Sequence, residues 1–214
     1  MSVMMNRVVV LVFILLIPSC SSTRLINSWK NPEYNLFKPQ KVLVVGVTPN
    51  YEARKAFEFQ LITQLNARNI KALQSAVVFE TAFTDSEQTA KDIEAQVDKL
   101  LSKGYDTVLV SLVKSVNDHD AYGSESSKTD YHLRRFALYY LAYQKAYFKQ
   151  EHSSRYKVFN IETSLYTLNK GSDKSLVWQG SFDLVDPYNS DKAIEAYIKK
   201  LIKTLERDKI ISKK

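Results

Sequence analysis

Apolar and polar positions along this chain change period several times, and each change marks an element. Val8 to Ile17 is an unbroken apolar run of ten residues behind a lone basic residue, Arg7. As a helix it spans roughly 15 Å, about half the hydrocarbon thickness of a bilayer, which suits a signal-peptide core better than a permanent span. After a polar stretch over residues 21–35, residues 41–48 form a short β-branched run with hardly a polar interruption, the pattern of a strand buried on both faces. Asn50 is placed to cap a helix to about Asn69, with Ala53, Phe57, Leu61 and Leu65 on one face. Residues 70–79 read as a second strand. Thr84-Asp85-Ser86-Glu87 has capping-box form, and Ile93, Val97, Leu100 and Leu101 then keep helical spacing until Gly104 provides a left-handed stop. Residues 106–113 are another buried-type strand. Residues 156–168 and 175–184 are extended runs joined through Asn169, Gly171 and Asp173, which is hairpin chemistry. Ser190 opens a last helix with Ile194, Ile198, Leu201 and Leu205 facing inward.

The predicted fold is therefore α/β, a βαβαβ parallel core extended by a C-terminal antiparallel hairpin and a terminal helix. Residues 1–19 read as a signal peptide, residues 20–38 as a tether in which Trp29 is a candidate early strand or docking residue, and residues 39–214 as one domain. Removing residues 1–19 takes away one positive charge, Arg7, from a formal net charge of +7. The remaining cations are spread over helix faces and gather only at Lys199, Lys200 and Lys203 and at Lys209, Lys213 and Lys214. A solvated surface accounts for them, with attraction to anionic headgroups or polyanionic envelope polymers as the sharper reading. No aromatic-basic signature of nucleic-acid recognition is present, so no nucleic-acid partner is expected.

Ile17-Pro18-Ser19-Cys20 resembles the lipobox of bacterial lipoprotein precursors, departing from it at Pro18, where a small residue is commoner. The resemblance implies cleavage before Cys20 and acylation of that cysteine with diacylglycerol and palmitate-type chains. The membrane is thus one expected partner, reached through acyl chains rather than by a span. Cys20 is the single cysteine, so its acylation leaves a mature chain without disulfide, thiol nucleophile or cysteine-ligated metal. Ser21, rather than Asp, follows it, which resembles the default for sorting to the outer membrane, facing the periplasm.

Five short stretches resemble a further group. Ser28-Trp29-Lys30-Asn31-Pro32, residues 41–47, Arg54 with Phe57-Glu58, Glu162-Thr163-Ser164-Leu165-Tyr166 and Leu176-Val177-Trp178-Gln179-Gly180 are similar to DUF4136-like envelope lipoproteins and their relatives with TolB-N-terminal or CsgG-like α/β domains. The resemblance implies a fold and a compartment and brings no catalytic residues with it. Each stretch also has a structural reading. Arg54 and Glu58, one helical turn apart, suit an exposed ion pair. Tyr166 and Trp178, on the two arms of the hairpin, suit aromatic cross-strand packing.

Candidate chemistry is sparse. Asp118, His119 and Asp120 are the weak metal candidates, but neighbours in an extended loop point in alternating directions and rarely converge on one ion. The turn after the first core strand, Gly46-Val47-Thr48-Pro49-Asn50, has neither a dinucleotide nor a P-loop pattern, and no Gly-x-Ser-x-Gly occurs. No cofactor is expected, and the chain does not read as an enzyme. The strongest feature outside the core is the tyrosine-rich segment 131–148, in which Phe136, Tyr140, Tyr143 and Tyr147 form a stripe, Tyr139 broadens it, and Arg134 and Arg135 adjoin it. It suits a crossover helix packed on the sheet, or a surface for headgroups or a partner. The sequence thus points to a lipid-anchored binding or assembly module, with an envelope protein or another copy of itself as partner. The alternative is a protein that binds a small ligand, lipid or glycan through the loops at the carboxyl ends of the parallel strands, near Thr48, after Phe79 and over residues 114–130.

Overall fold

The computed structural model describes residues 23–48, 50–78, 89–117, 158–168, 176–185 and 190–214. Six strands form one mixed sheet: β1 (Thr23–Lys30), β2 (Lys41–Val47), β3 (Lys71–Gln74), β4 (Thr107–Asn117), β5 (Val158–Thr167) and β6 (Leu176–Val185), in the spatial order β1-β6-β5-β4-β2-β3. Among the described residues four α-helices accompany them, α1 (Tyr51–Asn66), the single turn α2 (Ser75–Val78), α3 (Ala90–Ser102) and α4 (Ser190–Arg207). β2 pairs in parallel with β3 and β4, while β5 and β6 form the expected antiparallel hairpin, β5 against β4 and β6 against β1. Among the described residues no helix is long and apolar enough to cross a membrane.

The two faces of the sheet carry separate cores. Val42, Val44, Leu109, Leu165, Trp178 and Phe182 point towards α1 and α4, whose Leu61, Leu65, Ile198, Leu201 and Leu205 close over them. Leu43, Val45, Val108, Val110 and Tyr166 point the other way, against Ile93 and Leu100 of α3 and Val78 of α2. Parallel strands need cover on both faces, which is why β2 and β4 read as continuous apolar runs. Each of α1, α3 and α4 ends in the same Schellman geometry, with Asn69, Gly104 and Lys209 at φ 62, 77 and 57°. The amides of Ile70, Tyr105 and Ile210 return to the carbonyls of Leu65, Leu100 and Leu205.

Four expectations are corrected. Residues 23–30 are an edge strand rather than tether. Asn31 donates its amide to the Val177 carbonyl and its Nδ2 to that of Leu176, and Tyr34 and Phe37 pack on the core, so residues 23–37 belong to the folded body. The strand expected over residues 70–79 stops at Gln74, where Ser75 turns the chain into α2. Tyr166 and Trp178 lie on opposite faces, because a register shift between Leu165 and Tyr166 sets Leu165 against Trp178 and Tyr166 against Leu176. The capping box of α3 is formed by Thr89 and Asp92; the one expected at Thr84 lies outside the described residues.

The fourth correction is Glu58, which faces inward and is buried instead of pairing with Arg54 on the surface. Its Oε1 accepts from the Gly46 amide at 2.9 Å and from Ser75 Oγ at 2.6 Å, and its Oε2 accepts from the Ser75 amide at 3.0 Å. One carboxylate thereby ties α1 to the end of β2 and stops β3. The Arg54 guanidinium instead lies over the Tyr51 ring, 5.3 Å from its centroid. Burial pushes the Glu58 carboxyl above the usual range, against the opposing pull of its bonds from Gly46 and Ser75 and the charge of Arg54.

Glu58→Ala strips an acceptor from three buried donors and is expected to cost about 3–5 kcal/mol in urea unfolding. Because the folded-state pKa is raised, the stability linked to Glu58 is fully present below its unfolded pKa and is lost as pH rises through the folded value. The difference between wild type and Glu58→Gln should therefore shrink on going from acid to neutral pH. A difference that grows with pH would show that the ionised form is the one the fold prefers.

Candidate functional site

At the carboxyl ends of β2 and β4, where α1 and α4 both begin, the sheet and helices part to leave an open cavity of about 220 Å³. Its floor is the end of β2 at Gly46 and Val47 and of β4 at Ser111 to Val113, with Phe159, Ile161 and Leu184 from the hairpin. Its sides are Ala53 and Phe57 of α1 and Ala193, Ile194 and Tyr197 of α4. The helix residues nearest the sheet here include two alanines, which leave the space unfilled. Gly46 has a different role. A Cβ there would stand 3.2 Å from both Arg54 Cγ and Phe57 Cδ1, a tight fit that would require those side chains to give by a few tenths of an ångström.

Most of the lining is apolar, but Ser111 and Tyr197 bring hydroxyls to it and bond the fully buried Thr163. Ser111 Oγ lies 2.7 Å from Thr163 Oγ1 and 3.1 Å from Tyr197 Oη, and Tyr197 also bonds Thr163. All three side chains are buried. Each of the three hydroxyls can donate its one proton and accept through its lone pairs. The Tyr197 ring is stacked on Phe57 with centroids 5.8 Å apart and meets Phe182 edge-on at 5.3 Å. Burial pushes its phenol up to about 12, against the bonds from Ser111 and Thr163 that favour the ionised form, so it is a neutral hydroxyl at physiological pH.

No described base bonds to Ser111 or Thr163, and Glu58, the buried carboxylate at this end, is occupied by Gly46 and Ser75. Among the described residues no three histidine, cysteine, aspartate or glutamate side chains are grouped to hold a metal. In size the cavity falls between the 150 Å³ engineered void that takes benzene and the roughly 300 Å³ at which pockets for whole drug-sized ligands begin. It fits one aromatic side chain or a comparable piece of a larger molecule.

Thr48, which the sequence places beside a ligand site, does line this cavity. Cys20, Asp118, His119 and Asp120 lie outside the described residues, as do Arg134, Arg135, Phe136, Tyr139, Tyr140, Tyr143 and Tyr147. The hydroxyl cluster was not anticipated, although its signal is present. Ser111 interrupts the apolar run 108–113, and Tyr197 stands beside Ile194 and Ile198 on the inward face of α4.

Tyr197→Phe removes one hydroxyl but leaves Ser111 and Thr163 bonded to each other, so a loss of only about 1 kcal/mol is expected. A loss above about 3 kcal/mol in denaturant unfolding would make the cluster a structural keystone rather than a polar spot in a binding site.

No protein-family model matches this sequence, and no curated protein matches it. Solved structures give weak likenesses. A PelC dodecamer from Paraburkholderia phytofirmans overlays at TM-score 0.41 and 12% identity, covering 89% of this chain and 98% of that one. The lipoprotein GNA1162 from Neisseria meningitidis gives 0.42 and 14%, covering 79% and 99%. A DUF4136 family protein from Bacteroides thetaiotaomicron gives 0.38 and 11%, covering 86% and 96%. Overlays this loose assign no family and carry neither activity nor partner to this chain.

Proposed function

We propose that this chain is a non-catalytic binding module of the bacterial cell envelope, anchored through acyl chains on Cys20 to the outer membrane and facing the periplasm. Its cavity takes an apolar anchor group from a membrane-associated partner, an envelope protein or a second copy. The observation that carries this reading is the cavity itself, an open and mostly apolar recess that the hydroxyls of Ser111 and Tyr197 reach. Interface hot spots are commonly single large side chains seated in such recesses.

The anchor adds geometry. Thr23 pairs with Leu184, a residue of the cavity floor, and Cys20 precedes Thr23 by three residues. Extended chain covers at most about 3.6 Å per residue, so an acylated Cys20 holds the cavity end within roughly 11 Å of the attachment point. A partner reaching that recess is itself membrane-bound or lies at the surface. A second reading, a whole small ligand, lipid or glycan, is favoured by the position of the recess at the carboxyl ends of parallel strands.

Crosslinking in intact envelopes followed by pull-down tests this. The wild-type chain should recover a specific partner, and Ala53→Trp, which fills the recess from its rim, should lose that partner while its circular dichroism is unchanged. Equal recovery by both proteins, or no specific partner at all, would remove the cavity from the account. A small molecule extracted from the wild type and absent from Ala53→Trp would transfer the cavity to the second reading.

A further inference from the structure

The opposite end of the sheet carries a second recess, a broad groove of about 680 Å³ beyond the end of α4. Lys38, Lys203, Arg207, Lys209 and Lys213 line it, with Glu206 as the one acid. Glu206 is already engaged, since its Oε1 lies 2.8 Å from Arg68 Nη2 and accepts from Arg68 Nε at the same distance. Arg207 is held by Asp208 at 2.8 Å. Among the described residues none of the four lysines is drawn into an ion pair, and all four are exposed. We infer that this groove is a docking site for a linear polyanion, a polymer bearing carboxylate or phosphate groups.

A bland account of the charge covers only part of it. Cations in the last turn of a helix favour its negative end, which explains Lys203 and Arg207. It does not explain Lys38, which arrives from the segment before β2, or Lys209. At the left-handed position that ends a helix, α1 uses Asn69 and α3 uses Gly104, the two residue types that occupy it at least cost. α4 places a lysine there at φ 57°, and its side chain joins the groove. Glycine would adopt this conformation more easily, so the lysine brings a cation to the groove at a small backbone cost. Four of the five cations are lysines, flexible point charges without the fixed fork of arginine, which suits a chain of charges better than a single planar anion.

The choice of a polymer over headgroups of the anchoring leaflet rests on the anchored reading above. β1 runs its eight residues from the cavity end to Lys30, so the groove stands about 26 Å further from the anchor than the cavity does. That exceeds two Debye lengths at physiological salt, and those headgroups are screened from it.

The test uses the full-length protein in neutral detergent with labelled dextran sulfate, labelled neutral dextran and phosphatidylglycerol-containing vesicles. Dextran sulfate should bind and weaken by ~10-fold or more between about 50 and 200 mM salt. Lys209→Gly should raise the melting temperature, since it relieves the left-handed lysine, yet weaken binding ~2–5-fold. Lys203→Glu/Lys213→Glu should nearly abolish it. Unchanged binding by these variants, or equal binding of neutral dextran, would overturn the site. Vesicles that outcompete dextran sulfate at the same groove would overturn the polymer as its occupant. Cys20→Ser should leave dextran sulfate binding intact, so failure of the anchor and failure of the groove give different results.

Discussion

The pairing of β1 with β6 sets which end of the sheet Thr23 occupies, and one carboxylate bridges that pair to the end of α4. Asp208, just past α4, accepts from Ser28 Oγ of β1 at 2.7 Å and from Trp178 Nε1 of β6 at 2.8 Å, while Arg207 donates to its other oxygen. Strand, strand and helix are joined at one point. Burial opposes ionisation of Asp208, but the bonds from Arg207, Trp178 and Ser28 outweigh it and hold the carboxyl below its ordinary range. The stability it contributes is thus present at neutral pH and is lost only as pH falls through that depressed value. Gly180 completes the arrangement. A Cβ there would lie 2.5 Å from Trp178 Cη2, so any other residue would displace the indole.

A buried carboxyl and a half-buried carboxylate therefore organise opposite ends of the domain with opposite pH signatures. Glu58 sits at the cavity end, raised by burial, and Asp208 sits at the groove end, lowered by its donors. Between them the sheet is packed on both faces, and close packing is interrupted mainly where α1 and α4 begin. The recess lies there because both helices open with small or polar residues over strand ends, whereas further along leucines and isoleucines meet directly. One end holds an apolar recess and the other a groove lined by lysines.

Much of this was legible in the sequence wherever a long segment kept one period. β2 and β4 are continuous apolar runs, Asn50 caps α1, Gly104 ends α3, and the hairpin and α4 follow their patterns. What escaped depended on contacts distant in sequence. β1 is an edge strand with exposed Arg24, Ile26 and Trp29, and a register shift at Ile26 breaks its alternation. Glu58 looks like a surface partner for Arg54 until β2 and Ser75 supply three donors beneath it. Thr48, expected beside a candidate ligand site, lines the recess. The Ser111, Thr163 and Tyr197 cluster was not expected, since it unites two strands and a helix from separate parts of the chain.

Because Cys20 is the single cysteine, one introduced cysteine labels the rest of the molecule uniquely, which makes the orientation directly measurable. A fluorophore on Thr48→Cys, in the acylated protein reconstituted into vesicles with quencher-bearing headgroups, should be strongly quenched, while the same label on Ser212→Cys should not. Equal quenching at both positions, or stronger quenching at Ser212→Cys, would contradict a domain that stands on its membrane with the cavity end down.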